Sequence, residues 1–183
     1  MVYLFLADGF EEIEALTPVD LLRRVGVSVT TVGVKGKTVT GSHGIAVAAD
    51  VSAEEAIAAL HNGEAIDMII LPGGMPGAAT LDASDVVDTF IDAAEKANAY
   101  IAAICAAPMI LGKRGLLNGK KATCFPGFEE YLHGADCMNT HTVIDGRYIT
   151  GQAMGAAIKF ALCLVKVLKG DGVAEELRAA VFA

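Results

Sequence analysis

Apolar residues along the chain fall into two kinds of stretch. One kind is a short run without helical spacing: Val2 to Ala7, which is continuous and apolar, the apolar stretch of Asp67 to Leu71, the opening of Tyr100 to Gly112, and Val27 to Val32, which reads as a second strand. A strand covered on both faces reads this way. The other kind repeats its apolar positions every three or four residues, the mark of a helix with one buried stripe. Ile13 to about Val25 is the first of these, with Ile13, Leu16, Val19 and Leu22 on one face. Pro18 either sits in its first turn or kinks it, and Gly26 ends it. Ser52 with Glu55 three positions on is a capping box, so a helix is predicted from there to about His61. Further helices are predicted over Asp85–Ala97, from Pro108 to near Lys113-Arg114-Gly115, over Gly155–Leu168, and over Asp171–Ala180, with a short one at Phe128–His133.

Two regions break the alternation. Between Lys35 and Ala49, Gly36, Gly41 and Gly44 punctuate short alternating pieces, predicting a small β excursion. Late in the chain, Lys120 to Phe125 reads as a strand, and Thr140 to Ile144 and Tyr148 to Thr150 read as a hairpin turning at Asp145-Gly146. The β-α order throughout predicts one α/β domain over residues 1–183, with three layers and a mostly parallel sheet. In such sheets, sites form outside the carboxyl ends of the strands. That rule brings together Asp8 to Glu14, Pro72 to Gly77 and the turn at Cys105.

Cys105 stands where an apolar strand turns into small residues and then Pro108. Small residues on both sides of such a corner suit a nucleophile elbow, because bulk would collide with the sharp turn. A thiol there faces helix N-terminal N–H groups that stabilise a thiolate. The same residue could equally be a buried core thiol, and the stretch alone does not separate the two. Glu11 and Glu12 suit a helix N-terminus through its dipole. Glu14 lies beside the apolar stripe, and a buried carboxyl there would stay protonated and donate a hydrogen bond. Pro72-Gly73-Gly74 is either a plain turn or a source of bare N–H groups for an oxyanion hole. No G-x-G-x-x-G follows the first strand, so a nicotinamide or flavin site is not expected.

Composition narrows the classes further. At 183 residues, 54% hydrophobic, with 20 Gly, 7 Phe, 4 Tyr and no Trp, the core should be aliphatic. A net charge of -8 argues against nucleic acid or an anionic membrane as partner. The longest uncharged run, Ala97–Gly112, has 16 residues, short of the ~20 needed to span a bilayer. The first apolar run stops at Asp8, which is not a secretory pattern. Cys105, Cys124, Cys137 and Cys163 include no C-x-x-C pair, so no zinc or thioredoxin-like site is expected, and the reducing cytoplasm is. Cys124 and Cys163 read as core residues, while nothing decides Cys137. None of His43, His61, His133 and His141 neighbours Cys105 in sequence, so no Cys–His pair follows from spacing.

Taken together, the three loops resemble the DJ-1/ThiJ/PfpI superfamily, most closely its DJ-1/ThiJ branch. The matching pieces are Ala7-Asp-Gly-Phe-Glu-Glu-Ile-Glu14-Ala-Leu-Thr-Pro-Val-Asp20, Leu71-Pro-Gly-Gly74 and Ala102-Ala-Ile-Cys105-Ala-Ala-Pro108, within a similarity running from Tyr3 to about Val173. The resemblance implies a flavodoxin-like α/β/α sandwich and usually a homodimer. It also implies a strained, low-pKa cysteine at Cys105, a protonated carboxyl partner at Glu14, and oxyanion donors in the N–H groups of Gly74 and Ala106.

Two positions depart from the pattern. Protease-like members carry a His directly after the cysteine, where this chain has Ala106. The DJ-1 protein itself has a His before the Pro that follows the elbow helix, where this chain has Phe125. An Arg of the family's dimer-side pocket matches Arg24, and its companion position is His43.

The expected function is cofactor-free and metal-free cysteine chemistry. It takes the form of glyoxalase or deglycase action on small reactive carbonyls such as methylglyoxal, oxidation of Cys105 by peroxide as a sensor, or both. The alternative is a redox-responsive chaperone without turnover. Cysteine peptidase activity has little support beside Ala106.

Overall fold

The unbroken apolar runs become strands and the periodic stretches become helices in a computed structural model that describes all 183 residues. In chain order the elements begin β1 (Val2–Leu6), α1 (Glu12–Arg24), β2 (Val29–Gly33), β3 (Thr38–Thr40), β4 (Ala46–Ala48), β5 (Val51–Ser52), α2 (Ala53–His61) and β6 (Met68–Leu71). They continue with α3 (Gly77–Asp82), α4 (Asp85–Ala97), β7 (Tyr100–Ile104), α5 (Pro108–Lys113), β8 (Lys121–Ala122) and β9 (Asp136–Cys137). Last come β10 (Thr142–Asp145), β11 (Tyr148–Gly151), α6 (Ala157–Lys169) and α7 (Asp171–Ala180).

The main sheet has seven strands in the order β10-β11-β7-β6-β1-β2-β5, parallel except for the β10–β11 hairpin. Alternate side chains of each strand supply two separate cores. Tyr3, Phe5, Ile69, Leu71, Ile101 and Ala103 face α3, α4 and α5. Val2, Leu4, Leu6, Met68, Ile70 and Ile104 face α1, α6 and α7. This is the three-layer α/β architecture the pattern predicts, in the flavodoxin-like form the resemblance implies. Each fully buried aliphatic side chain contributes roughly 1.5–3 kcal/mol. Tyr3 and Phe5 add edge-on packing against Phe90, with ring centroids 4.8 and 5.1 Å away.

Several predicted elements change. In α1, Ile13 and Leu16 are 48% and 37% exposed, while Ala15, Val19 and Leu22 face the core. The helix packs against both the sheet and its neighbour α6, and those two directions, not the most apolar stripe, set its buried face. Pro18 lies past the first turn, as the seventh residue of α1. The predicted strand Lys120–Phe125 shrinks to Lys121–Ala122, paired with Asp136–Cys137 away from the main sheet. The place beside β7 is taken by β11, whose Thr150 Oγ1 accepts the Thr123 N–H at 2.9 Å. The helix expected at Phe128–His133 is one 3-10 turn, Glu129–Tyr131. The hairpin turns at Gly146-Arg147, one residue later than predicted. The short helix α3 was not foreseen. The β excursion at 38–48 and the Ser52–Glu55 capping box form as predicted.

Strand order reverses at β1, which pairs with β2 on one side and β6 on the other. The loops after β1, β6 and β7 therefore meet at one crevice at the carboxyl end of the sheet.

Candidate active site at Cys105

β7 ends at Ile104, and Cys105 immediately takes φ 66. A left-handed conformation costs a side-chain-bearing residue roughly 1–2 kcal/mol, so something must hold it. The holding bonds run in both directions. The Cys105 N–H donates to Gly151 O at 2.9 Å, and its own carbonyl accepts the Phe125 N–H at 2.7 Å. Beyond the corner, Ala106 and Ala107 are buried, and Pro108 opens α5, where its missing N–H costs nothing. The strand, strained corner and helix form the elbow predicted from the sequence.

Glu14, third residue of α1, is completely buried. Its Oε2 accepts the Gly73 N–H at 3.1 Å, while Oε1 has no partner. The same carboxyl lies beside Cys105, and each group acts on the other's titration. Gly73 fits between them only because it lacks a side chain. A Cβ there would lie 2.5 Å from Cys105 Cβ and 2.6 Å from Glu14 Oε2. Gly74 has φ +87, and a Cβ on it would sit 2.4 Å from the Glu11 nitrogen. The N–H groups of Gly74 and Ala106 act on the Cys105 sulfur in the sense that favours its charged form. Thus Cys105, Glu14, Gly74 and Ala106, named from sequence, come together at one point.

The electrostatics of the pair differ from the expected low-pKa thiol. Burial pushes the Glu14 carboxyl up to about 7, the neighbouring charge of Glu11 adding to it and the bonds to Cys105 and Gly73 opposing. Burial, then the charge and hydrogen bond of Glu14, push the Cys105 thiol up to about 12, against the N–H groups of Gly74 and Ala106. Both effects of Glu14 on the sulfur belong to its ionised form and reverse when it holds the proton. Cys105 and Glu14 therefore behave as one site sharing a proton, and a thiolate exists when Glu14 carries it.

A second acidic group lies on the same helical turn. Glu12 sits in the first turn of α1, as suits the helix dipole, but is only 4% exposed. It accepts the His43 N–H at 2.8 Å, His43 Nδ1 lies 3.0 Å from it, and Ser42 Oγ lies 3.4 Å away. Burial alone would raise its pKa, but these bonds from His43 hold it at about 2. Glu11 shares the cluster, with Ser42 Oγ at 3.3 Å and His43 Nδ1 at 3.6 Å. Glu11, Glu12 and His43 offer three donor atoms within 4.8 Å of one another, the set from which a metal could be held. In this structure those atoms are engaged with each other and with Ser42. Sequence spacing gave no sign of this cluster, because the 31 positions between Glu12 and His43 are bridged only by the fold.

Other residues singled out from sequence lie elsewhere. Arg24 pairs with Asp20 of its own helix at 2.8 Å and is exposed. His61 ends α2 as a solvated residue, and His141 meets Lys159 at 3.1 Å. No histidine is among the groups that bear on Cys105. Phe125 is 43% exposed with its backbone on the elbow. Cys124 is buried, Cys163 half-buried and Cys137 exposed.

Known proteins resemble this chain in sequence and in overall shape. The Parkinson disease protein 7 homolog of Danio rerio is 35% identical over 178 residues, covering 95% of this chain and 92% of its own. A deglycase of Pyrococcus abyssi is 29% identical, over 92% of this chain and 99% of its own. The structure of oxidized Toxoplasma gondii DJ-1 superposes with TM-score 0.90 at 32% identity, covering 99% of this chain and 97% of that one. The model of the DJ-1/PfpI family matches residues 1–167. A match that begins in β1 and runs into the last turns of α6 takes in every loop that meets at Cys105, and the chain belongs to the DJ-1/PfpI family.

Proposed function

We propose that this protein uses Cys105 against small reactive carbonyls, in glyoxalase or deglycase chemistry, and that the same sulfur responds to peroxide. The observation that carries this reading is the buried Glu14 carboxyl set against Cys105 across Gly73, where a Cβ would lie 3.0 Å from the sulfur and 2.6 Å from Glu14 Oε2. In the thiolate form Glu14 holds the shared proton. The sulfur attacks the aldehyde carbon, a C–S bond forms, and the carbonyl electron pair moves to oxygen. Glu14 protonates that oxygen, giving a hemithioacetal and a Glu14 carboxylate. For an α-oxoaldehyde the carboxylate then takes the C–H proton and returns it to the neighbouring carbon, while the hemithioacetal hydroxyl proton passes to the former ketone oxygen. The resulting thioester is hydrolysed by water to a 2-hydroxy acid and free thiol. Nothing is oxidised or reduced from outside, and Glu14 acts as both acid and base, so no histidine is required. The deglycase named among the relatives supports this reading.

The test is conversion of methylglyoxal to lactate by fresh, reduced protein. Turnover should fall to background in Cys105→Ser. Absence of lactate in the wild type, or its persistence in the variant, would end the enzymatic reading.

A second reading, a redox-responsive chaperone or interaction protein, draws on the oxidized form of the Toxoplasma gondii relative. It predicts client protection that depends on peroxide and is lost in Cys105→Ser, without lactate. Cysteine peptidase action has no support, since Ala106 stands where it would need a histidine.

We further read residues 1–183 as one cytoplasmic domain working as a homodimer. Exposed Ile13 and Leu16 on α1, and Ile158 on the adjoining α6, are the apolar surface a second copy would cover. Leu16→Asp should then halve the mass measured by light scattering. No helix is long and apolar enough to cross a membrane.

A further inference from the structure

A second sulfur-rich place lies next to the elbow but outside it. A cavity of about 310 Å³ is lined by Cys124, Cys137 and Met138, with Glu129, Asn139 and Gln152 among its other walls. Three sulfur-bearing residues thus meet in one small cavity, although the two thiols stand 13 positions apart, from 124 to 137, and form no motif. The fold joins them through the short β8–β9 sheet. Ala122 pairs with Cys137, and the Met138 N–H donates to Ala122 O at 2.8 Å. Cys124 is buried and Cys137 exposed, so the cavity has one inner thiol and one open to water. Cys105 is not on the lining, though the Phe125 N–H next to Cys124 holds its carbonyl at 2.7 Å.

Burial pushes the Cys124 thiol up to about 12, with the charges of Glu129 and Cys137 adding to it. Burial, then Glu129 and Asp136, raise Cys137 too, and no lysine or arginine is among the groups that bear on either thiol. A cation between the sulfurs would relieve that repulsion. A disulfide fits the register less well. Cys124 lies two residues beyond the partner of Cys137, and one strand spacing with two residues of rise sets their Cα atoms ~8 Å apart. A disulfide closes without backbone movement only below ~7 Å. An ion bonded to each sulfur at ~2.3 Å spans the difference. Glu129 does not close with the two thiols into a three-donor set, the one such set of His, Cys, Asp and Glu being Glu11, Glu12 and His43. That leaves thiolate and thioether donors, which select soft ions.

We propose that this cavity binds a soft monovalent cation, copper(I) by its chemistry, between the thiolates of Cys124 and Cys137 with the Met138 thioether beside them. On binding, each thiol gives its proton to solvent and two metal–sulfur bonds form. The ion keeps its oxidation state, so no oxidant or reductant takes part. The site is separate from the chemistry at Cys105 and stands or falls without it.

The test is an anaerobic titration of copper(I) into reduced, full-length Cys105→Ser/Cys163→Ser protein, in which only this pair of thiols remains. A chromogenic copper(I) chelator competes for the ion. One equivalent per chain should be withheld from the chelator, and X-ray absorption should show a shell of sulfur around the metal. Adding Cys137→Ser, at an exposed position whose change should leave the fold intact, should abolish retention, and Cys124→Ser should do the same. Met138→Leu should keep the stoichiometry but release the ion at a lower chelator concentration. Complete transfer to the chelator from the two-thiol protein, retention that survives Cys137→Ser, or a shell of nitrogen and oxygen overturns the proposal.

Discussion

Glu12 and Glu14 stand two residues apart on the first turn of α1, and both are buried, yet their carboxyls end at about 2 and about 7. The difference lies in what each buried oxygen finds. Glu12 meets the backbone and ring nitrogens of His43 and the hydroxyl of Ser42. Glu14 meets one N–H, from Gly73, and a sulfur, and its Oε1 meets nothing. Burial costs the charged form in both places, but donors compensate only at Glu12. One carboxylate thereby anchors the loop at 41–45, and the other is left able to carry a proton beside Cys105. The same residue type on the same turn serves structure in one case and chemistry in the other.

The sharpest way to break this comparison is to remove the proton site. Glu14→Gln keeps the shape but cannot exchange a proton with the sulfur, and turnover should fall by ~10²–10⁴. The pH profile of Cys105 alkylation separates loss of chemistry from loss of fold. Wild-type reactivity should rise through the region near pH 7, where the pair gives up its first proton, and Glu14→Gln should erase that inflection. An identical inflection in the variant would dissociate Glu14 from the cysteine.

A smaller effect is expected at Glu12. Its folded pKa lies below the ordinary ~4.3, so its contribution to stability is complete above that pH and fades as pH falls through about 2. Glu12→Gln should destabilise the neutral protein by ~1–3 kcal/mol while flattening the acid limb, read by denaturant unfolding at several pH values. Glu14 has the opposite sign. Its raised pKa favours the fold most below ~4.3, and that advantage is lost as pH rises through about 7.

The smallest effect belongs to His43→Ala. The backbone N–H of position 43 remains, so the loop stays, but the ring that most depresses Glu12 is gone. The Glu12 carboxyl should titrate at higher pH by NMR, with Cys105 alkylation little changed. A large change at Cys105 would mean that the two carboxylates are coupled and that the contrast between them is incomplete.

Much of the fold was readable in advance because parallel strands buried on both faces leave unbroken apolar runs, and β1, β6 and β7 are such runs. Where burial depends on neighbours, the pattern misled. Ile13 and Leu16 looked like core and face outward, since α6 and the sheet, not helix periodicity, choose the buried side of α1. Lys120–Phe125 has strand composition, but β11 occupies the sheet position it would have taken. At the site, the strained corner at Cys105 was legible in its small neighbours and Pro108, and Gly74 in the turn after a strand. The partnership of Glu12 with Ser42 and His43 was not, because no local spacing records a contact made across a hairpin.

The sequence by itself determined the alternation of strands and helices, the elbow at Cys105 and the set of loops from which a site would be built, all of them local consequences of hydrophobic period and turn chemistry. The tertiary structure alone decided that Glu12, buried like Glu14, would stay charged, while Glu14, which the sequence had singled out, is left with few donors and can hold a proton. That choice depends on the number of donors each buried oxygen meets, and those donors come from segments of chain that only folding brings together.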